Sequence, residues 1–216
     1  MWIEVKKKWT ALACALSLCV GLALPAAAAG TFVDVPDGAW YAAEVNAAAE
    51  KGYMTGVDST HFYPLNNVTR ATVVTVLWRM EGKPAAASAS GFSDVAADAW
   101  YASAVAWAKE KGIADGNGKG GFDPDKNVTR QELAVLLTRY DQYKGVKLAE
   151  GALNLFSDAN QISSWAKEGM QHAIGMGWLE GSGGKIDPNG LASRAQLAVL
   201  LDRMATPAAG LSLIHI

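Results

Sequence analysis

Apolar positions along the chain follow three patterns. The first is an unbroken run from Ala11 to Leu24. The second recurs at helical spacing: Val45, Ala48 and Ala49; then Val105, Ala108 and Ile113; then Met170, Ala173 and Ile174. The third is denser: VVTVLWRM from Val73, LAVLLTRY from Leu133 and LAVLLDRM from Leu197. The spacing predicts two helices per segment. The first of each pair stops at Gly52, Gly112 or Gly177, a C-cap signal. The second begins after Thr69, Thr129 or Ser193, all good N-caps. Glu132 and Gln196 complete capping boxes, and Thr72 does not. The loop between the helices carries one apolar plug (Phe62, Phe122, Ile186) and one proline (Pro64, Pro124, Pro188).

These elements belong to three internal repeats, starting at Phe32, Phe92 and Phe156. The motif glycines keep register: Gly52, Gly112 and Gly177 lie 12 residues after Trp40, Trp100 and Trp165, and Gly56, Gly116 and Gly181 lie 16 after. Pro64, Pro124 and Pro188 precede Arg70, Arg130 and Arg194 by six. A repeat this short cannot bury so apolar a second helix alone, so the three are expected to pack together as an all-α fold.

Composition narrows the function. The chain is 50% hydrophobic and 19% charged, with net charge −2 over 216 residues. That excludes disorder, a strongly basic nucleic-acid binder and a polytopic membrane protein. Lys6, Lys7 and Lys8 precede the Ala11–Leu24 run, which is too short to span a bilayer. Pro25 ends it, and Ala27 and Ala29 fit a cleavage site with Gly30 as mature start, so residues 1–29 read as a signal peptide. Cys14 and Cys19 match a lipobox poorly, and no cysteine follows them. Cleavage would leave a net charge of −4 and no disulfides, as for a protein exported to a bacterial surface or periplasm. At the other end, Leu211 to Ile216 follow a low-complexity linker and back-translate to a sequence like a transposase adapter end. They read as adapter-derived, with the natural protein continuing; a native stop codon after Ile216 would refute this.

All six arginines occupy two repeat positions nine residues apart: Arg70, Arg130 and Arg194, then Arg79, Arg139 and Arg203. The 13 lysines show no such order, so these positions use the guanidinium fork itself. At a helix start the dipole opposes a cation. Arg70, Arg130 and Arg194 therefore either tie down loop carbonyls or acidic neighbours (Asp34, Asp94, Asp158), or join free helix-start N–H groups in holding a carboxylate or phosphate. Arg79, Arg139 and Arg203 lie in the last turn, where the dipole favours them, and read as structural. Trp40, Trp100 and Trp165 recur before the first helix, either exposed to stack on a sugar or buried as loop anchors. Trp78, Trp107 and Trp178 do not recur and read as packing.

F-x-D-V, W, G-x-x-x-G, F-x-P and T-R-A-E together resemble the S-layer homology repeat, over roughly Phe32 to Met204. The resemblance implies a pseudo-threefold bundle with a central three-helix core and three helix-loop prongs. It implies repeats at 30–86, 87–150 and 151–206, a linker and tail at 207–216, and a monomer at the bacterial cell surface. Grooves between prongs would bind a secondary cell wall polymer through a pyruvate ketal, with Arg70, Arg130 and Arg194 meeting the carboxylate. Trp40, Trp100, Trp165, Asp34, Asp94, Asp158 and the motif glycines would make further saccharide contacts. Direct peptidoglycan binding and outer-membrane tethering are variants on the same fold. The motif departs from the family as TRAT, TRQE and SRAQ, and repeat three also has Asp158-Ala159 and Ile186, so repeat three is expected either to bind weakly or to be only structural; all three keep the arginine, which argues against complete loss.

Rival readings find less support. No catalytic set is placed by a motif between residues 30 and 210; an enzyme such as a wall hydrolase would lie in a continuing C-terminal region. His61 and His172 are unrepeated and expected at the surface or in loops. Asp115–Gly120 resembles the opening of an EF-hand loop, but Lys119 and Lys126 stand at ligand positions, so a glycine-rich turn is expected. Asn67-Val68-Thr69 and Asn127-Val128-Thr129 match sequons and read as turn and cap. No cofactor, metal, nucleic acid or membrane insertion after signal cleavage is expected.

Overall fold

The computed structural model describes residues 32–205; the signal-peptide and adapter-tail expectations fall outside them. The described residues are helical, with no strand. Repeat one holds α1 (Ala42–Glu50) and α2 (Arg70–Met80), repeat two α3 (Ala102–Glu110) and α4 (Arg130–Tyr143), and repeat three α5 (Lys167–Gly175) and α6 (Arg194–Ala205). Three single 3₁₀ turns lie before α5.

The local stop and start signals act as read. Each first helix ends in a Schellman motif: Gly52, Gly112 and Gly177 take φ of 69°, 69° and 72°, and the next residue's N–H bonds back to Ala48, Ala108 or Ala173. Only glycine adopts this conformation without strain. Gly112→Ala is expected to cost about 1–2 kcal/mol, measurable as a lower urea midpoint. The second glycine serves close approach instead: a Cβ on Gly116 would stand 2.6 Å from Phe92 Cε1 and 2.7 Å from the Gly121 carbonyl. α4 begins with a complete capping box, in which Glu132 Oε2 accepts from Thr129 N–H at 2.8 Å. In α6, Gln196 Oε1 accepts from Ser193 N–H at 3.0 Å. In α2, Thr69 caps alone.

The repeats are not self-contained. α3 packs on α2, α5 on α4 and α1 on α6, so each first helix lies against the second helix of another repeat. The second helices start together. Val68 N–H donates to Ala192 O, Ala192 N–H to Val128 O and Val128 N–H to Val68 O, at 2.9–3.0 Å, closing a ring of backbone bonds. Asn67 and Asn127 lie in the short antiparallel bridges around it. Phe62, Phe122 and Ile186 are fully buried, as are Val45, Val105 and Met170. They belong to one contiguous core with the second helices.

His172 corrects an expectation. It is fully buried, its ring meeting Trp178 edge-on at 4.8 Å. Its Nδ1 accepts from Ala149 N–H at 2.9 Å, and Nε2 faces buried Asp141 Oδ2 of α4 at 3.2 Å. The ring therefore pins the linker between repeats two and three to the core. Such a histidine has no counterpart in the other repeats, so periodicity could not place it.

Candidate functional site

Each repeat's loop is shaped by its own aspartate. Asp34 accepts from the Phe62 and Tyr63 amides at 2.8 and 2.7 Å, Asp94 from Phe122 and Asp123 at 2.7 and 2.8 Å, and Asp158 from Ile186 and Asp187 at 2.9 and 2.8 Å. The second residue of each pair is held left-handed, Tyr63 at φ 55°, Asp123 at 58° and Asp187 at 51°. Both oxygens of each carboxylate are thus engaged within the loop, and Asp158 is buried. Desolvation opposes their charge, but the amide bonds outweigh it and hold their pKa below the usual carboxylate value. A carboxylate depressed in the fold stabilises fully above the unfolded pKa, and the contribution disappears as pH falls through the lowered one. Asp94→Asn is therefore expected to melt below wild type at pH 7, with the gap narrowing only as pH falls through the lowered carboxylate pKa. Thermal melts across that range test this.

The helix-start arginines reach out of their own repeats. Arg70 Nε donates to Phe122 O at 2.9 Å and Nη2 to Asp115 O at 2.8 Å. Arg130 does the same to Ile186 O at 2.9 Å and Glu180 O at 3.2 Å. Arg194 closes the ring onto repeat one, to Phe62 O at 2.8 Å and Thr55 O at 2.7 Å. Arg70 and Arg194 also lie over the Phe122 and Phe62 rings, at 4.6 and 4.3 Å. Of the two alternatives, the loop-carbonyl clamp is realised. Burial lowers the pKa of all three, yet arginine stays charged.

The expectation of free N–H groups at these helix starts does not hold. The amides of Arg70, Arg130 and Arg194 bond to Lys126 O, Gly190 O and Asn66 O at 2.8–2.9 Å. The next amide of each helix bonds to Pro124 O, Pro188 O or Pro64 O. The third is taken by the cap side chain. Neighbouring loops occupy the donors that an anion would have used. What remains open is the outer edge of each guanidinium: Nη1 of Arg70, Arg130 and Arg194 has no hydrogen-bond partner among the described residues.

Trp40, Trp100 and Trp165 are exposed, at 62%, 62% and 57%, which settles their alternatives towards the surface. Trp40 and Trp100 are braced edge-on by Tyr41 and Tyr101 at 5.2 and 5.1 Å. Trp107 and Trp178 are buried as expected.

Three surface grooves then bring the recurring residues together. The first holds Arg70, Arg139 and Trp165, in about 360 Å³. The second holds Arg130, Arg203 and Trp40, in about 210 Å³. The third holds Arg194, Arg79 and Trp100, in about 470 Å³. Every groove takes a helix-start arginine from one repeat, a last-turn arginine from the next and a tryptophan from the remaining one. Arg79, Arg139 and Arg203 were read as structural, and each does brace its groove: Arg79 donates to Tyr53 O at 3.4 Å, Arg203 to Trp178 O at 3.0 Å, and Arg139 pairs with Asp115 at 2.9 Å. Their strict arginine identity was the signal that they also line the grooves. Asp115–Gly120 is a turn organised by Asn117, whose Oδ1 accepts from Lys119 and Gly121 amides.

The family model for the S-layer homology domain matches residues 31–74, 91–134 and 155–198, the three repeats. The chain belongs to the S-layer homology domain family. It is 32% identical to the Surface-layer 125 kDa protein of Lysinibacillus sphaericus, over 91% of this chain and 17% of that protein. It is 28% identical to S-layer protein EA1 of Bacillus anthracis, over 84% of this chain and 21% of that protein. A third relative, Exoglucanase XynX of Acetivibrio thermocellus, is 30% identical over 79% of this chain and 16% of its own length. The chain thus spans less than a quarter of each of these relatives, and the match to the enzyme-named one lies in the S-layer homology part. No described helix is long and apolar enough to cross a membrane.

Proposed function

We propose that this S-layer homology chain is a non-covalent anchor that holds a larger exported protein to a bacterial cell wall, binding an acidic wall saccharide in the inter-repeat grooves. The observation that carries this reading is the threefold recurrence of one exposed tryptophan beside two arginines drawn from different repeats. An indole face packs against a sugar ring, and the open Nη1 edge meets a carboxylate such as a pyruvate ketal. Net charge −2 gives no bulk attraction for an anionic polymer, so recognition falls to these local groups. Three shallow sites on one polymer gain avidity, on the order of 10²–10⁴ over a single site. In this reading catalysis is no part of the S-layer homology region, and any enzyme activity belongs to an attached region, as the name of the exoglucanase relative suggests for that protein.

The test is co-sedimentation with purified Gram-positive walls before and after hydrofluoric acid removes the secondary polymer. Binding that disappears on stripping supports the polymer ligand. Binding that survives it assigns the grooves to peptidoglycan. No binding to intact walls refutes the anchor.

A further inference from the structure

The three grooves are alike in plan but not in charge. In the first, Asp115 Oδ2 takes Arg139 Nη1 at 2.9 Å, and Asp123 and Glu132 also line the cavity, with Glu132 paired there to Lys126 at 2.6 Å. In the second, Glu180 Oε1 takes Arg203 Nη1 at 3.3 Å. In the third, the counterpart of Asp115 and Glu180 is Thr55, and the counterpart of Glu132 is Thr72. The counterpart of Asp123 in repeat one is Tyr63. Arg79 consequently has only a long bond to Tyr53 O, and no carboxylate partner among the described residues. Asp34, Asp94 and Asp158 occupy equivalent places near the three grooves and cancel in the comparison.

A second difference points the same way. Thr75 lines the third groove, where Val135 and Val199 line the others. Its side chain is buried, and its hydroxyl has no hydrogen-bond partner. The third groove is also the largest of the three.

We infer that the groove between repeats three and one is the primary site for an anionic saccharide, and that the residue at position 55, 115 or 180 sets the affinity of each groove. This rests on the reading that the grooves bind an acidic saccharide. An internal carboxylate competes with the ligand carboxylate for the last-turn arginine and repels it; in the third groove no carboxylate engages Arg79, and Arg79 together with the open Nη1 edge of Arg194 faces the ligand without that competition. Repeat three therefore supplies, through Arg194, one half of the strongest site, although its motif departs furthest from the family pattern.

Titration calorimetry on the whole chain would use the methyl glycoside of N-acetylmannosamine bearing a 4,6-linked pyruvate ketal, with the unmodified sugar as the neutral control. Thr55→Asp adds the missing carboxylate at an exposed loop position where the other repeats already carry Asp and Glu, so the fold tolerates it. The expected result is roughly tenfold weakening of the tightest binding in Thr55→Asp, while Asp115→Thr leaves that binding intact and strengthens a second class of site. Unchanged affinity in Thr55→Asp, with wild type binding, overturns the groove assignment alone. Equal binding of the neutral sugar overturns its electrostatic basis. Failure of wild type to bind the ketal sugar refutes the acidic-saccharide reading itself, and the assignment falls with it.

Discussion

Arg194→Ala is expected to destabilise the fold by about 3 kcal/mol. Its guanidinium makes charge-assisted bonds to Phe62 O and Thr55 O at 2.8 and 2.7 Å and lies 4.3 Å from the Phe62 ring. Bonds to a charged group contribute about 1.5–3 kcal/mol each, and a cation over an aromatic face about 0.5–2. The cost of burying the guanidinium offsets part of that sum. Alanine leaves both carbonyls without this donor and releases the loop of repeat one from α6. Lysine cannot restore the clamp, because one ammonium lacks the fork that spans two carbonyls. For a domain of this size the loss corresponds to roughly 6–12 °C in Tm. The effect should rank Arg194 above Arg70 above Arg130, since the second Arg130 bond is longer, at 3.2 Å, and its plug is Ile186 rather than a ring. Urea unfolding followed by far-ultraviolet dichroism measures this; a shift below about 0.5 kcal/mol for Arg194→Ala would show that the clamp is not structural. Removing all three arginines would unfold the ring, so loss of wall binding in that variant says nothing about the ligand.

The variant that separates binding from folding is Trp40→Ala/Trp100→Ala/Trp165→Ala. All three side chains are more than half exposed. Their removal is expected to change the unfolding midpoint little, because surface substitutions away from caps and clamps usually stay within about 0.5 kcal/mol each. Binding should respond far more. Loss of an indole face removes about 0.5–1.5 kcal/mol per groove by analogy with aromatic pairs. Three grooves on one polymer multiply the loss, giving roughly 10–10³ in apparent affinity. The measurement is half-saturation in co-sedimentation with intact walls, beside a thermal melt of the same sample. Unchanged binding in the folded variant would remove the tryptophans from the site.

Much of the fold was legible because it is local and repeated. The Gly52, Gly112 and Gly177 stops and the Thr69, Thr129 and Ser193 caps each depend on a few neighbouring residues, and the Phe62, Phe122 and Ile186 plugs recur at one repeat position. Three copies of a local rule make it visible against sequence noise. His172 fails that test, since its partners Asp141 and Ala149 stand 31 and 23 residues away and occur once.

The candidate site divides along the same line. From sequence came the residue types and positions: six arginines at two registers, three recurrent tryptophans and three aspartates. Sequence also identified the helix starts as unsatisfied donors in need of acceptors. What tertiary structure decided is which acceptor arrives. The carbonyls that meet Arg70, Arg130 and Arg194 lie 45 to 139 residues away, in another repeat each time. Repeats of one pattern present loops of one plan, so periodicity cannot say whether an arginine clamps its own loop, a neighbour's or a ligand. Only the ring of packed helices determines that, because burying each apolar second helix against another repeat's first helix brings the foreign loop to the helix start and leaves the tryptophan of the remaining repeat at the rim of the groove.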